Sequence, residues 1–505
     1  MNSKLIYKNT LFLYFRQILI LFVALFTTRI VINSLGIDDY GLYNLIAGII
    51  TMLNIVSASL TTATQRFLSM SLGRNDLEEF RNIYNVCNTL FILLSIVIFI
   101  LGELLGTWFL NTYLVIPDDR LVAANWCYQL SLLSFILGIL RVPSNAVIIS
   151  YEKMDFYALL SIVEVVLQLI VAYVLYLVRY DKLICYSVLI LSVTFLVNSL
   201  YIIYCRVKLN TRMRGFSLNS KLLSSIFSFS FWTFFGSLAT IGTKQGINIL
   251  INMFFGIRLN AASAVATKVS STSYSFVSNF TTAYRPQIMK LYSVGSYEEL
   301  NTLVYKMTKL SSYLFFFIMI PIYINIDAFL SLWLGNVPEY AAVFCKLLII
   351  YLFIDAIQSP LLAMVHAIGN IKRFQIVLSC LLILNLPIMW VLLKINMPVE
   401  SVYICYICLN IISSIYRTIY VVNKSSINLK QYVIVVIRVL ITLVLSYLLC
   451  HFQKGIWPDL NAWISLIINV VISFLITSVI IFFIGLVKPE RKYIYNLIIK
   501  RIGNK

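Results

Sequence analysis

Residues 11–35 read LFLYFRQILILFVALFTTRIVINSL, twenty-five positions with only two charges, Arg16 and Arg29. Runs of this kind recur along the whole chain, and they constrain it more than any other feature. About 20 apolar residues in a helix cross the hydrocarbon of a bilayer. In that hydrocarbon every backbone polar group must be satisfied internally, so the runs are expected to be helices. A β-barrel is excluded because the apolar stretches are continuous rather than alternating. The balance of 61% hydrophobic to 12% charged residues agrees, since soluble domains lie nearer a half and a quarter. The first run follows Lys4 and Lys8, is too long for a signal-peptide core and lacks a small-residue cleavage site. It reads as a retained first helix.

Fourteen such helices are expected. Six lie near 11–35, 43–66, 86–109, 123–150, 157–178 and 183–205, and six more near 226–256, 260–284, 303–326, 341–369, 375–394 and 401–423. The last two lie near 433–453 and 462–487, followed by the basic tail 488–505. Loops after even-numbered spans hold most of the cations, among them Arg74, Arg81, Lys153, Arg206, Lys208, Lys290, Lys372, Arg373, Lys424 and Lys430. The opposite loops hold only Arg120, Arg179, Lys182, Arg258, Lys394 and Lys454. The positive-inside rule therefore puts both termini in the cytoplasm. The net charge of +19 is then topology and attraction to anionic lipid heads, with nucleic acid excluded as a partner. No stretch between spans exceeds roughly twenty residues, too little for the extramembrane site of a membrane polymerase or ligase. The nine cysteines are scattered and the only histidines are His366 and His451, so no metal spacing emerges.

The chain also echoes itself. Gly36-Ile37 returns as Gly256-Ile257, Thr61-Thr62-Ala63 as Thr281-Thr282-Ala283, and Glu78-Glu79 as Glu298-Glu299, each 220 residues on. LRVPSNAVI (140–148) and IQSPLLAMV (357–365) align Pro143 with Pro360 in the fourth and tenth spans, where proline removes a helix hydrogen bond and bends the helix. Asp76 to Glu79 and Ser296 to Glu299 both read as capping boxes. A repeat of six helices enters the membrane in the same orientation each time. The fold class expected is therefore all-α and polytopic, with two six-helix lobes related by a pseudo-two-fold axis normal to the membrane and two extra C-terminal helices. The lobes are residues 1–210 and 211–425, with the extra helices at 426–487.

TTRIVINSLGIDDYGLYNLIAGI (27–49), TTATQRFLSMSLGRNDLEEFRNIYN (61–85) and SYEKMDFYALLSIVE (150–164) resemble the amino-terminal signature of Wzx-type polysaccharide flippases. These belong to the multidrug/oligosaccharidyl-lipid/polysaccharide exporter superfamily. The resemblance implies two lobes about a central cavity in the bacterial cytoplasmic membrane. It also implies flipping of polyprenyl-pyrophosphate-linked oligosaccharide to the periplasmic leaflet, for O-antigen, capsule or related polymers. No bond is made, so no enzyme is expected. Membrane lipids and other polysaccharide-assembly proteins are the further partners. A multidrug exporter and a peptidoglycan-precursor flippase of the same superfamily are the alternatives.

Eleven basic residues fall within or at the edge of spans, at about 2.5–3.5 kcal/mol each for a cation at a helix centre. Snorkelling to the interface is the expectation for Arg16, Lys306, Lys309, Lys346, Arg417 and Arg438, all near span ends. Arg29, Arg141, Lys244 and Lys268 lie deeper. If their helices line the cleft, as the resemblance implies, these cations would hold a pyrophosphate. Arg66 sits at a span end and reads equally as an interface residue or a ligand. The hydroxyl-rich eighth span, AASAVATKVSSTSYSFVSNFTTAY (261–284), reads as a wet wall or as close helix packing. Of the embedded carboxylates, Glu164 and Asp355 are candidates for H+ or Na+ coupling, or else partners for embedded cations. No other cofactor is expected.

Overall fold

The computed structural model describes residues 3–52, 54–113, 116–213, 215–217, 219–453 and 462–492. All regular structure among them is helical. The helices are α1 Ser3–Leu35, α2 Ile37–Met52, α3 Asn54–Gly73, α4 Leu77–Leu101, α5 Thr107–Tyr113, α6 Leu121–Ser150, α7 Met154–Val174 and α8 Lys182–Lys208. They continue with α9 Ser220–Phe255, α10 Ile257–Ser293, α11 Tyr297–Ile324, α12 Ile326–Leu334 and α13 Ala341–Ile368. The last four are α14 Lys372–Lys394, α15 Glu400–Lys424, α16 Leu429–Gln453 and α17 Ala462–Ile480. Among the described residues 12 helices are long and apolar enough to cross a membrane. The expected second and eighth spans are helical too, as α2 with α3 and as α10, but do not meet that test. α10 fails it through its serines, threonines and charges rather than its length of 37 residues.

The chain forms two compact units. The first is Met1–Ser237 with Thr282–Gly295, and the second is Leu238–Thr281 with Ser296–Lys505. The last two basic stretches of the tail, from residue 493 on, lie outside the described residues.

The sequence echo is repeated in the backbone. Helices α1, α3 and α9, α10 end at Leu35, Gly73 and Phe255, Ser293, and α4 and α11 begin at Leu77 and Tyr297, in each case 220 residues apart. Gly36 and Gly256 close α1 and α9 with φ of 86° and 80°, a left-handed conformation that glycine adopts without a Cβ clash. Asn75 and Gly295 do the same at φ of 58° and 73°, so asparagine substitutes for glycine in the first copy. The turn hydrogen bonds correspond as well: Arg74 N–H to Met70 C=O and Asn75 N–H to Leu72 C=O are matched by Val294 to Lys290 and Gly295 to Tyr292. The expected capping boxes are only partly formed. Asp76 accepts from the Glu79 amide at 2.8 Å, but the Glu79 carboxylate turns to Arg74 instead of reaching back. Ser296 makes no side-chain cap.

In the first unit α6 packs against α2, α3, α4, α7 and α8, and in the second α13 packs against α11, α12 and α15. These are the fourth helices of the two repeats, and both carry a buried proline, Pro143 and Pro360, inside the helix. A side chain from either can therefore reach several neighbours at once. A π-helical turn, Gly102–Gly106, follows α4; Tyr128 of α6 donates its hydroxyl to the Gly102 carbonyl at 2.7 Å, supplying a partner at the irregular turn. The hydroxyls of α10 are largely satisfied within their own helix. Ser273 donates to Val269 C=O at 2.9 Å and Thr281 to Val277 C=O at 3.0 Å. Ser263 meets the Tyr403 hydroxyl at 2.8 Å, the helix-packing use of a small polar residue.

Candidate functional site

The first unit encloses a polar cavity of about 570 Å³. α6 supplies Ser131, Ser134, Gly138, Arg141 and Asn145 to its wall, α7 supplies Glu164 and Gln168, and α8 supplies Ser187 and Thr194. α2 and α3 close it with Tyr43, Ala47, Ile50 and Ser57. The spacing on α6 puts Ser131, Ser134, Gly138, Arg141 and Asn145 three or four residues apart, on one helical face. A polar stripe on an otherwise apolar helix must find partners or water. Arg141 donates to Glu164 at 3.1 Å, and its guanidinium lies 5.3 Å from the Tyr201 ring. The Asn145 amide oxygen is buried without a hydrogen-bond partner, so the cavity offers an acceptor site that a water or a polar ligand would fill. The wall is thus net neutral, rich in hydroxyl and amide groups, and held in shape by one ion pair.

The second unit carries its own charged group. Asp355 on α13 is held beside Asn410 of α15, whose amide donates to Tyr351 C=O at 3.2 Å and lies 3.5 Å from the carboxylate. The charges that bear on Asp355 are Arg417 first and Lys244 second. Arg417 is 7% exposed, so it is buried and not the snorkelling residue its position at a span end suggested. Tyr351 and Tyr406 stack at 4.1 Å along the same wall.

Of the residues singled out from the sequence, the structure brings Arg141 together with Glu164, and Lys244 within electrostatic reach of Asp355. It does not gather the rest. Arg29 is exposed in the first unit, and Lys244 and Lys268 are exposed in the second. Neither Arg29 nor Lys268 has an acidic partner among the described residues. Arg66, half-buried on α3, lies over Phe67 and Phe229 at 4.9 and 5.2 Å. Two further expectations of snorkelling are corrected. Arg16 is 9% exposed, lies 4.7 Å over Tyr157 and is 3.4 Å from the Ser161 hydroxyl. Lys309 is 7% exposed and paired with Glu490 at 2.6 Å. Sequence reasoning missed Asn145, Gln168 and Asn410. The signal available for them was a polar residue at helical spacing from an embedded charge.

A match to the MatE family covers residues 13–174. No curated protein matches the chain. Among solved structures, it is similar to a MATE protein in the bent conformation, with TM-score 0.73 and 14% identity over 83% of this chain and 94% of that one. It is also similar to the outward-facing conformation of a multidrug resistance MATE family transporter of the MOP superfamily, with TM-score 0.69 and 14% identity over 82% and 94%. A third is a MOP superfamily transporter from Pyrococcus furiosus described by the reverse polarity of its binding pocket, with TM-score 0.68 and 14% identity over 82% and 94%. The chain has the MATE-like transporter fold, an all-helical membrane architecture in two units.

Proposed function

We propose that this chain is a multi-pass membrane transporter of the multidrug-exporter type, moving an amphipathic organic solute across the bilayer by alternating access. The observation that carries the reading is the fold likeness, which spans more than four-fifths of this chain and includes an outward-facing multidrug resistance transporter. The charge arrangement narrows the cargo. Glu164 is already ion-paired with Arg141 and Asp355 lies in the field of Arg417 and Lys244, so a cationic solute finds little free negative charge and a neutral or anionic one suits the chain better. Transport needs no covalent step, so no enzyme activity is part of the reading. Coupling to H+ or Na+ would run through Glu164 or Asp355. The cytoplasmic membrane with both termini inside is the placement that the distribution of basic loops favours.

A second reading is flipping of polyprenyl-pyrophosphate-linked oligosaccharide, with assembly proteins as partners. Its support is that Arg29 in the first unit and Lys268 in the second are each exposed without an acidic partner among the described residues, so that a phosphate oxygen would complement either one. The test is to express the chain in cells stripped of their own exporters and follow efflux of cationic, neutral and anionic fluorescent solutes. Faster loss of the neutral or anionic solutes than from empty-vector cells is expected. If no solute leaves faster, and cells lacking the chain accumulate lipid-linked oligosaccharide on the cytoplasmic leaflet, the exporter reading fails and the flippase reading replaces it.

A further inference from the structure

We infer that a basic pocket in the second unit, between α11, α16 and the segment after α17, binds the phosphate headgroup of an anionic membrane lipid. The pocket has a volume of about 270 Å³, and its polar wall is Thr302, Tyr305, Lys306, Lys309, Arg438 and Glu490. Three cations face a single carboxylate. One Glu490 oxygen accepts from Lys309 Nζ at 2.6 Å and the other from the Val487 amide at 3.0 Å. Lys306 and Arg438 are half-buried, and neither has an acidic partner among the described residues. Two half-desolvated cations without counter-charge are unfavourable unless an anion from outside the chain completes them.

The surroundings identify the source of that anion. The pocket lies in the first halves of α11 and α16 and just past the last span, so its walls meet towards one membrane face. That face also carries Lys424, Lys430 and Lys488. α16 exposes Ile434 on the pocket wall and Ile437 beside it, at 52% and 49%, and acyl chains would lie alongside them. A free phosphate would gain nothing from that apolar flank, whereas a lipid places its phosphate among the cations and its tails against the helix. Basic pockets between helices at the cytoplasmic surface suit anionic headgroups for this reason. The assignment does not depend on which cargo the transporter carries.

The experiment is lipid binding to the full-length chain in mixed micelles, read by native mass spectrometry and by thermal shift. Phosphatidylglycerol, phosphatidylcholine and inorganic phosphate are the probes. Phosphatidylglycerol is expected to bind and raise the melting temperature, with phosphatidylcholine and inorganic phosphate each much weaker. Lys306→Gln with Arg438→Gln is expected to weaken phosphatidylglycerol binding by about tenfold or more. Glu490→Gln removes the one acid and frees Lys309, so it is expected to tighten binding by about fivefold. That gain has the opposite sign to simple structural damage, and it decides the matter should the double variant fail to fold. Unchanged or weaker binding in Glu490→Gln, unchanged binding in the double variant, or displacement of the lipid by inorganic phosphate at equal affinity would each overturn the assignment.

Discussion

The Arg141–Glu164 pair makes a quantitative demand. At a separation near 4 Å and an effective dielectric constant of about 20, two unit charges attract by about 4 kcal/mol. The cavity admits some solvent, since the two side chains are 25% and 24% exposed, so the coupling that survives screening is smaller, about 2 kcal/mol. Replacing Arg141 by Ala also removes its contact with the Tyr201 ring and leaves Glu164 unpaired in the membrane; the loss of stability is about 3 kcal/mol. Glu164→Ala leaves Arg141 unpaired and costs about 2 kcal/mol, because the ring still faces the guanidinium. The double variant leaves no orphan charge, so it is expected to be about 2 kcal/mol more stable than the sum of the two single losses. For a unit of this size each kcal/mol moves the melting temperature by roughly 2–4 °C, so the single variants should melt roughly 4–12 °C lower. The assay is thermal unfolding in nanodiscs, followed by tryptophan fluorescence at one scan rate. Losses that add in the double variant would show that the two side chains do not compensate each other, and the cavity wall would lose its central tie.

Three other expectations follow from packing and charge. Glu152 sits buried in the turn after α6 with φ of 59°, accepting from Gln287 at 2.9 Å and Lys290 at 2.6 Å; Glu152→Ala should cost about 3 kcal/mol and Glu152→Gln clearly less, read by thermal unfolding, and equal losses would refute the charge argument. A Cβ at Gly73 would meet the Lys290 Cα and carbonyl oxygen at 2.8 Å, so Gly73→Ala should destabilise by about 1–3 kcal/mol despite the better helix propensity of alanine, and an unchanged melting temperature would contradict that close approach. Asp355→Asn removes the negative charge that acts on buried Arg417, and a loss of about 1–2 kcal/mol is expected; a variant as stable as the parent would mean that the aspartate does not offset that arginine.

Much of the fold was legible in the sequence because the bilayer permits so few solutions. Apolar runs gave helices along the whole chain, and the echo of Gly36 and Gly256 marked two helix ends that need a left-handed residue. The polar α10 was legible as a helix by length alone, since its serines and threonines bond back to their own carbonyls and leave no apolar signature. The site was less legible. Distance from a span end does not say which way a side chain turns, so Arg16, Lys309 and Arg417 read as snorkelling residues although the fold buries all three. Partners such as Glu490 for Lys309 lie 181 residues away, beyond any local pattern.

The two embedded carboxylates bear on the choice between cargoes. In each unit the proline-bearing fourth helix carries one of the charges, but not the same one: in the first it carries the cation Arg141 and α7 the acid Glu164, and in the second it carries Asp355, with Arg417 on α15. Repeat alignment through Pro143 and Pro360 sets Gly138 opposite Asp355 and Arg141 opposite Gln358, so the charges are not copies of one ancestral pair. A transporter that attracts cations through a carboxylate must leave that carboxylate free in at least one state, and Glu164 is paired with Arg141 in this one. Arg29 on the first unit and Lys268 on the second are exposed without an acidic partner among the described residues. On the exporter reading proposed above this favours a neutral or anionic cargo, since a cationic one would find Glu164 already paired.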